Sequence, residues 1–239
     1  MDKLTIFYHT ASDIPAPHCF SVKAEIHILT KEKMQVAVEQ IFTDREEIPK
    51  EEIEAEGFSL DDDFIWEGIL PAIWQEYMQH LLIESAFEPG SGIRVTILKN
   101  VSPEPQKPAF ENNWVQFVEE LIQACLEQSG RELAMELVLG RLEKNNFFEH
   151  ARVVWLFPER KAIAEILKGE KKEFKGIEWT DSQKEIQGWI EKEAASEDLY
   201  QLPKRKGWFW LLNGEIWLPF QKNQNGKVWN WVLEKVNMD

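Results

Sequence analysis

The chain has 239 residues, 44% apolar and 12% aromatic, which supplies enough hydrophobic surface for a folded core and argues against intrinsic disorder. Its formal net charge of −15 argues against a nucleic-acid partner, because the basic runs at 168–175 and 204–206 are short and flanked or interrupted by acids. No apolar run approaches the roughly 18–20 residues of a bilayer span, and Met1–His9 shows no cleavage-site pattern, so no membrane partner is expected. Cys19 and Cys125 make neither a disulfide framework nor a CxxC pair, which suits a cytoplasmic setting.

In chain order, residues 3–9, 19–29 and 34–42 read as strands. Phe20, Val22, Ala24, Ile26 and Ile28 alternate with Ser21, Lys23, Glu25 and His27, and Met34, Val36 and Val38 continue the pattern. Such alternation across short connections predicts an antiparallel meander with one buried face. Pro49–Glu56 reads as a short acidic helix stopped by Gly57, and Pro71 opens a helix to about Ser85 with Trp74, Tyr77, Met78, Leu81 and Leu82 on one stripe. Ile93, Val95 and Ile97 suggest another strand. The three prolines of 100–108 break all periodicity and mark the best linker candidate.

Residues 112–128 make the clearest helix, with Trp114, Phe117, Val118, Leu121, Ile122 and Cys125 on one face and Gly130 just past its end. A hairpin follows over 133–143 and 147–157. The stretch 158–167 fits helix or strand equally. Thr180-Asp181-Ser182-Gln183 has capping-box spacing ahead of Ile186, Trp189 and Ile190. The last thirty residues read as a three-stranded meander turning at Asn213-Gly214 and Asn225-Gly226. The expected fold is α+β, with antiparallel meanders near both termini and helices packed on them. The expected organisation is an N-terminal subdomain over 1–100, a Pro-rich linker over 101–110 and a C-terminal subdomain over 111–239.

Motifs for nucleotide binding, for the nucleophile elbow, for helical zinc proteases and for EF-hand calcium binding are all missing from the sequence. His9, His18, Cys19 and His27 suggest a metal or thiolate site by composition. Cys19 and His27 lie at opposite ends of one strand, about 26 Å apart at roughly 3.3 Å per residue, so they cannot share an ion. His9, His18 and Cys19 remain as candidate catalytic residues at the mouth of the first hairpin, with Asp13 in the same loop. Asp61-Asp62-Asp63 could attract a divalent cation, but consecutive carboxylates point in different directions and read better as an acidic loop. No metal or cofactor is assigned. Cys125, inside an apolar stripe, reads as a buried structural thiol.

Of the eleven tryptophans, those near the end of the chain carry the sharper signal. A two-residue Asn213-Gly214 turn would set Trp210 opposite Trp217 and Trp208 opposite Pro219. One face would then hold Phe209, Leu211, Ile216 and Leu218. The other would hold Trp208, Trp210 and Trp217, joined by Asn230 from the next strand. Such an aromatic face is either a covered layer or a contact surface. Two functions follow. The first is a non-catalytic binding protein that uses the tryptophan face toward a protein, basic in character, or a small ligand. The second is a small enzyme acting through His9, His18 and Cys19.

Overall fold

The computed structural model describes residues 3–30, 33–46, 48–99, 102–143, 146–168, 171–180, 182, 207–212 and 216–220. The chain divides into two compact units, Met1–Glu132 and Leu133–Asp239. Antiparallel sheets in both, with helices packed on strands in the first, give the α+β class expected from the sequence.

Unit 1 begins with β1 (Lys3–His9), β2 (Phe20–Thr30) and β3 (Lys33–Phe42), the expected meander. It continues through α1 (Lys50–Ala55), β4 (Phe64–Pro71), α2 (Ala72–Glu84), β5 (Phe87–Pro89), β6 (Val95–Lys99), β7 (Ser102–Pro108) and α3 (Glu111–Gln128). The seven strands lie in the order β4-β3-β2-β1-β6-β7-β5, so the first strand made is the middle of the sheet. Alternation does what period-two patterning requires. Leu4, Ile6, Val22, Ala24, Ile26, Val36 and Val38 are buried on one face, while Lys23, Glu25 and Glu39 stand on the other.

Helices α2 and α3 pack on the sheet. Trp114, Phe117, Val118, Leu121 and Cys125 of α3 are spaced by three or four residues and are fully buried, as are Trp74 and Met78 of α2. Between the helices, the Phe117 ring meets Trp74 at 5.9 Å, Tyr77 at 5.2 Å and Trp114 at 5.9 Å, all tilted or edge-on. Trp114 Nε1 donates to Ser85 Oγ at 2.8 Å, which satisfies the one polar atom of that indole. Each such aliphatic or aromatic side chain contributes about 1.5–3 kcal/mol by burial, so this layer is the main source of the unit's stability. Gly57 and Gly130, at φ 84° and 74°, follow α1 and α3 in the left-handed conformation that ends helices.

The stretch expected to be a linker holds strand β7, and the two units divide at Glu132/Leu133. Its prolines are tolerated because pairing there is sparse. β7 meets β6 only at Ile97↔Gln106 and Lys99↔Ser102, with an irregularity between them, and meets β5 over three residues. Strand β4 is also absent from the sequence reading.

Unit 2 contains β8 (Met135–Glu143), β9 (Asn146–Leu156), β10 (Lys161–Lys168), β11 (Lys171–Ile177), β12 (Gly207–Leu212) and β13 (Ile216–Phe220). They lie in the order β11-β10-β9-β8-β12-β13. Leu137, Leu139, Ala151, Val153, Trp155, Ala162, Ala164 and Ile166 are buried in register with one another across the three strands β8, β9 and β10. On the alternate positions Arg152 pairs with Glu136 and lies near Glu165, which also pairs with Lys172. The undecided stretch 158–167 is a turn followed by strand β10. The helix expected from Thr180 is seen only at its first residues, and Ile186, Trp189 and Ile190 lie outside the described residues.

Candidate functional site

The chemistry-bearing residues gather where β2 and β3 reach the loops 10–19 and 43–63. Arg45 is the hub, buried although it is an arginine. Its Nε and Nη2 donate to Pro17 O at 2.9 and 2.8 Å, and its Nη1 donates to Ser59 O at 2.8 Å and Asp62 Oδ2 at 3.1 Å. The guanidinium plane lies 3.8 Å over the Phe42 ring and 4.8 Å from that of Phe58. One side chain thus fastens three loop segments to the end of the sheet.

Asp62 completes the fastening. It accepts from Ser59 N at 2.7 Å and from Ser59 Oγ at 2.8 Å. Desolvation works against its carboxylate, but the Ser59 hydrogen bonds and then the Arg45 charge outweigh it and hold its pKa below the ordinary value. Asp63 Oδ1 accepts from Phe42 N at 2.9 Å, and Asp61 is exposed. The Asp61–Asp63 run is therefore a loop clasp with its carboxylates turned apart. Among the described residues, no three His, Cys, Asp or Glu side chains are placed to hold a metal ion.

His9, His18 and Cys19 stand near this end of the sheet but engage separate partners. His9 Nδ1 lies 3.1 Å from Thr10 O. His18 meets Phe58 edge-to-face at 5.0 Å, with Nε2 3.8 Å from Glu56 Oε2. Cys19 is buried, and its thiol donates to Thr43 O at 3.2 Å, with Asp44 Oδ2 at 3.7 Å. No hydrogen bond joins any two of the three among those described, so they form no nucleophile–base pair here.

A cavity of about 430 Å³ opens beside Arg45, lined by Ile41, Phe42, Thr43, Asp44, Arg45, Glu46, Leu60 and Asp63. Such a volume falls within the range of small-ligand and side-chain pockets. Its rim is aliphatic through Ile41 and Leu60, which are 39% and 56% exposed, and acidic through Asp44, Glu46 and Asp63. Asp44 sits at φ 58°, a left-handed conformation uncommon outside glycine. Sequence reading missed Arg45, Asp44 and Leu60. Glu46, ahead of the short helix that begins at Lys50, also lines the cavity.

A second polar cluster ties β1 to α3. Tyr8 Oη donates to Glu119 Oε1 at 2.8 Å, while Arg94 Nη2 donates to Tyr8 Oη at 2.8 Å and to Glu119 Oε1 at 3.3 Å. Burial first, and then the negative charge of Glu119, push the Tyr8 phenol up to about 12. Glu111 Oε1 accepts from the backbone N–H of Arg94 and Val95 at 2.7 and 2.8 Å. These contacts clamp the helix to the sheet.

The tryptophan face is not assembled as expected. Leu212 pairs with Ile216, Leu211 with Trp217 and Trp210 with Leu218, so three residues, 213–215, separate the paired positions. That one-residue shift places Trp217 on the opposite face from Trp208 and Trp210. Trp210 is also in register with Leu139 of β8, which is completely buried, and Leu212 with buried Leu137. Trp210 is thus in register with the buried Leu137/Leu139 row of β8, while Trp208 is in register with Arg141. Asn230 lies outside the described residues.

Among the described residues no helix is long and apolar enough to cross a membrane. Comparison with known protein families, with curated proteins and with solved structures finds no match to this chain.

Proposed function

We propose that this is a non-catalytic binding protein whose contact site is the cleft at the end of β3, and that its ligand is basic. The observation that carries this reading is the fate of Arg45. Among the described residues it is the single cation in the cavity lining, and its guanidinium is committed to Pro17, Ser59, Asp62 and two phenyl rings. What remains toward solvent is carboxylate and aliphatic surface, which complements a side chain with an apolar stem and a positive head, such as lysine or arginine. The net charge of −15 steers such a ligand toward the protein.

The test is calorimetric titration of the full chain with an acetylated, amidated hexapeptide of alternating lysine and leucine, beside the same peptide with glutamate in place of lysine. Saturable binding of the lysine peptide alone is expected, weakening with salt and falling at least fivefold in Leu60→Ala and in Asp44→Asn. Equal binding of both peptides, or no effect of either substitution, would overturn the assignment.

A further inference from the structure

We infer that the ligand is an extended polypeptide that adds as a strand to the free edge of β4, with its basic side chains reaching the β3 cleft; this rests on the binding reading above. Among the described residues β4 is one of the sheet's two outermost strands, with β5 at the other end, and is paired with β3 on one side only. Half of the N–H and C=O groups of an edge strand lack ladder partners, and proteins normally shield such an edge with lysines, proline or a bulge. β4 has little of this. Phe64-Ile-Trp-Glu-Gly-Ile-Leu-Pro71 holds one charge, Glu67, one proline at its last position, and an unbroken register with β3 from Gln40↔Phe64 to Lys33↔Pro71.

The outward face of the same strand is built for contact. Ile65 is 77% exposed and Ile69 48%, on either side of Glu67. Glu39 of β3 is opposite Ile65, and Ile41, two residues further along β3, lines the cleft. On this face Ile69, Glu67, Ile65 and Glu39 alternate aliphatic and acidic groups, with Gln35 hydrogen-bonded to Glu67 and Lys23 opposite Glu39, and Ile41, Asp44 and Glu46 carry the tract on to the cavity. A strand placed beside β4 sets every second side chain on this face next to Ile65, Glu67 and Ile69, and a long basic side chain extends from there toward β3. Charge complementarity selects a basic occupant over a second copy of this acidic chain. The opposite face of β4 offers no rival site, because Phe64 and Leu70 point into the core and Trp66 lies across Gly68.

The experiment uses the full chain and the lysine–leucine hexapeptide in three forms: unmodified, and N-methylated at its odd or at its even residues. N-methylation removes backbone donors and leaves every charge in place. One of the two methylated series should bind at least tenfold more weakly. The unmodified peptide should also slow amide hydrogen exchange within 64–71 at least tenfold. Equal binding of all three forms, or binding without protection in 64–71, would overturn strand addition and leave the cleft reading intact. No binding of any form would remove both. A dimer of the chain alone that Ile65→Lys dissociates would show that a second copy occupies the edge, and would equally overturn the proposal.

Discussion

Arg45→Ala is the most informative single change. It strands Pro17 O, which costs about 1–2 kcal/mol when left without a donor in a buried setting, and releases Ser59 O, nearer to solvent, at less than about 1 kcal/mol. It also removes stacking on Phe42 and Phe58, about 1 kcal/mol. The ion pair with Asp62 contributes less than its 3.1 Å separation suggests, because Asp62 is 24% exposed and keeps both Ser59 hydrogen bonds. Screening limits that contribution to under about 1 kcal/mol. The total loss is about 3–4 kcal/mol, within the range for breaking a buried pair. Arg45→Lys keeps the charge and loses the planar fork, so it should cost about half as much. Urea unfolding followed by far-UV circular dichroism measures both, and tryptophan fluorescence checks whether one transition describes the chain. A loss below about 1 kcal/mol for Arg45→Ala, or full rescue by lysine, would refute the idea that this side chain fastens the loops.

Cys125 should resist thiol reagents in the native chain and react on unfolding, since burial pushes its thiol pKa up, and Cys125→Asp should cost several kcal/mol. Gly92→Ala should destabilise unit 1 by roughly 1–3 kcal/mol in thermal melts, because a Cβ there would sit 1.9 Å from Val95 O, a backbone atom with little room to yield. Trp210→Ala should cost roughly 3–5 kcal/mol, as its register row runs through buried Leu139, whereas Trp217→Ala, on the opposite face, should cost less; equal losses would contradict the pairing. Hydrogen bonds from Lys23 and then Lys3 hold Glu25 at about 2, so its stabilisation is present above the ordinary value of 4.5 and is lost as pH falls through about 2. Tyr8 has the opposite sign, with stabilisation present below 10 and lost as pH rises through about 12; Glu25→Gln should flatten the acid limb of stability and Tyr8→Phe the alkaline limb.

Much of the fold was legible in the sequence where one face of an element meets water. The Val22–Ile26 and Met34–Val38 alternation and the Trp114–Cys125 stripe both announce their buried side, and both are found. Strand β4 was not, because Phe64–Leu70 mixes apolar residues on both faces and an edge strand has no need of clean alternation. The prolines of 103–108 hid β7, since a sparsely paired strand can do without several N–H groups. The Asn213-Gly214 pair foretold a hairpin but not whether its loop takes two residues or three, and that single residue moved Trp217 to the other face. Arg45 left little trace in the sequence because three of its four hydrogen bonds go to carbonyl oxygens at positions 17 and 59, whose side chains say nothing about them.

The central place of β1 has a consequence for synthesis. Its two neighbours are β2, which follows at once, and β6, which ends at Lys99. When β2 is complete at Thr30, about seventy residues must still be translated before β1 acquires its second partner. At roughly 5–20 residues per second the nascent chain carries an open strand of Leu4, Ile6 and Tyr8 for roughly 4–14 seconds. The ribosome-bound meander is therefore the stage most exposed to mispairing between neighbouring chains on one messenger.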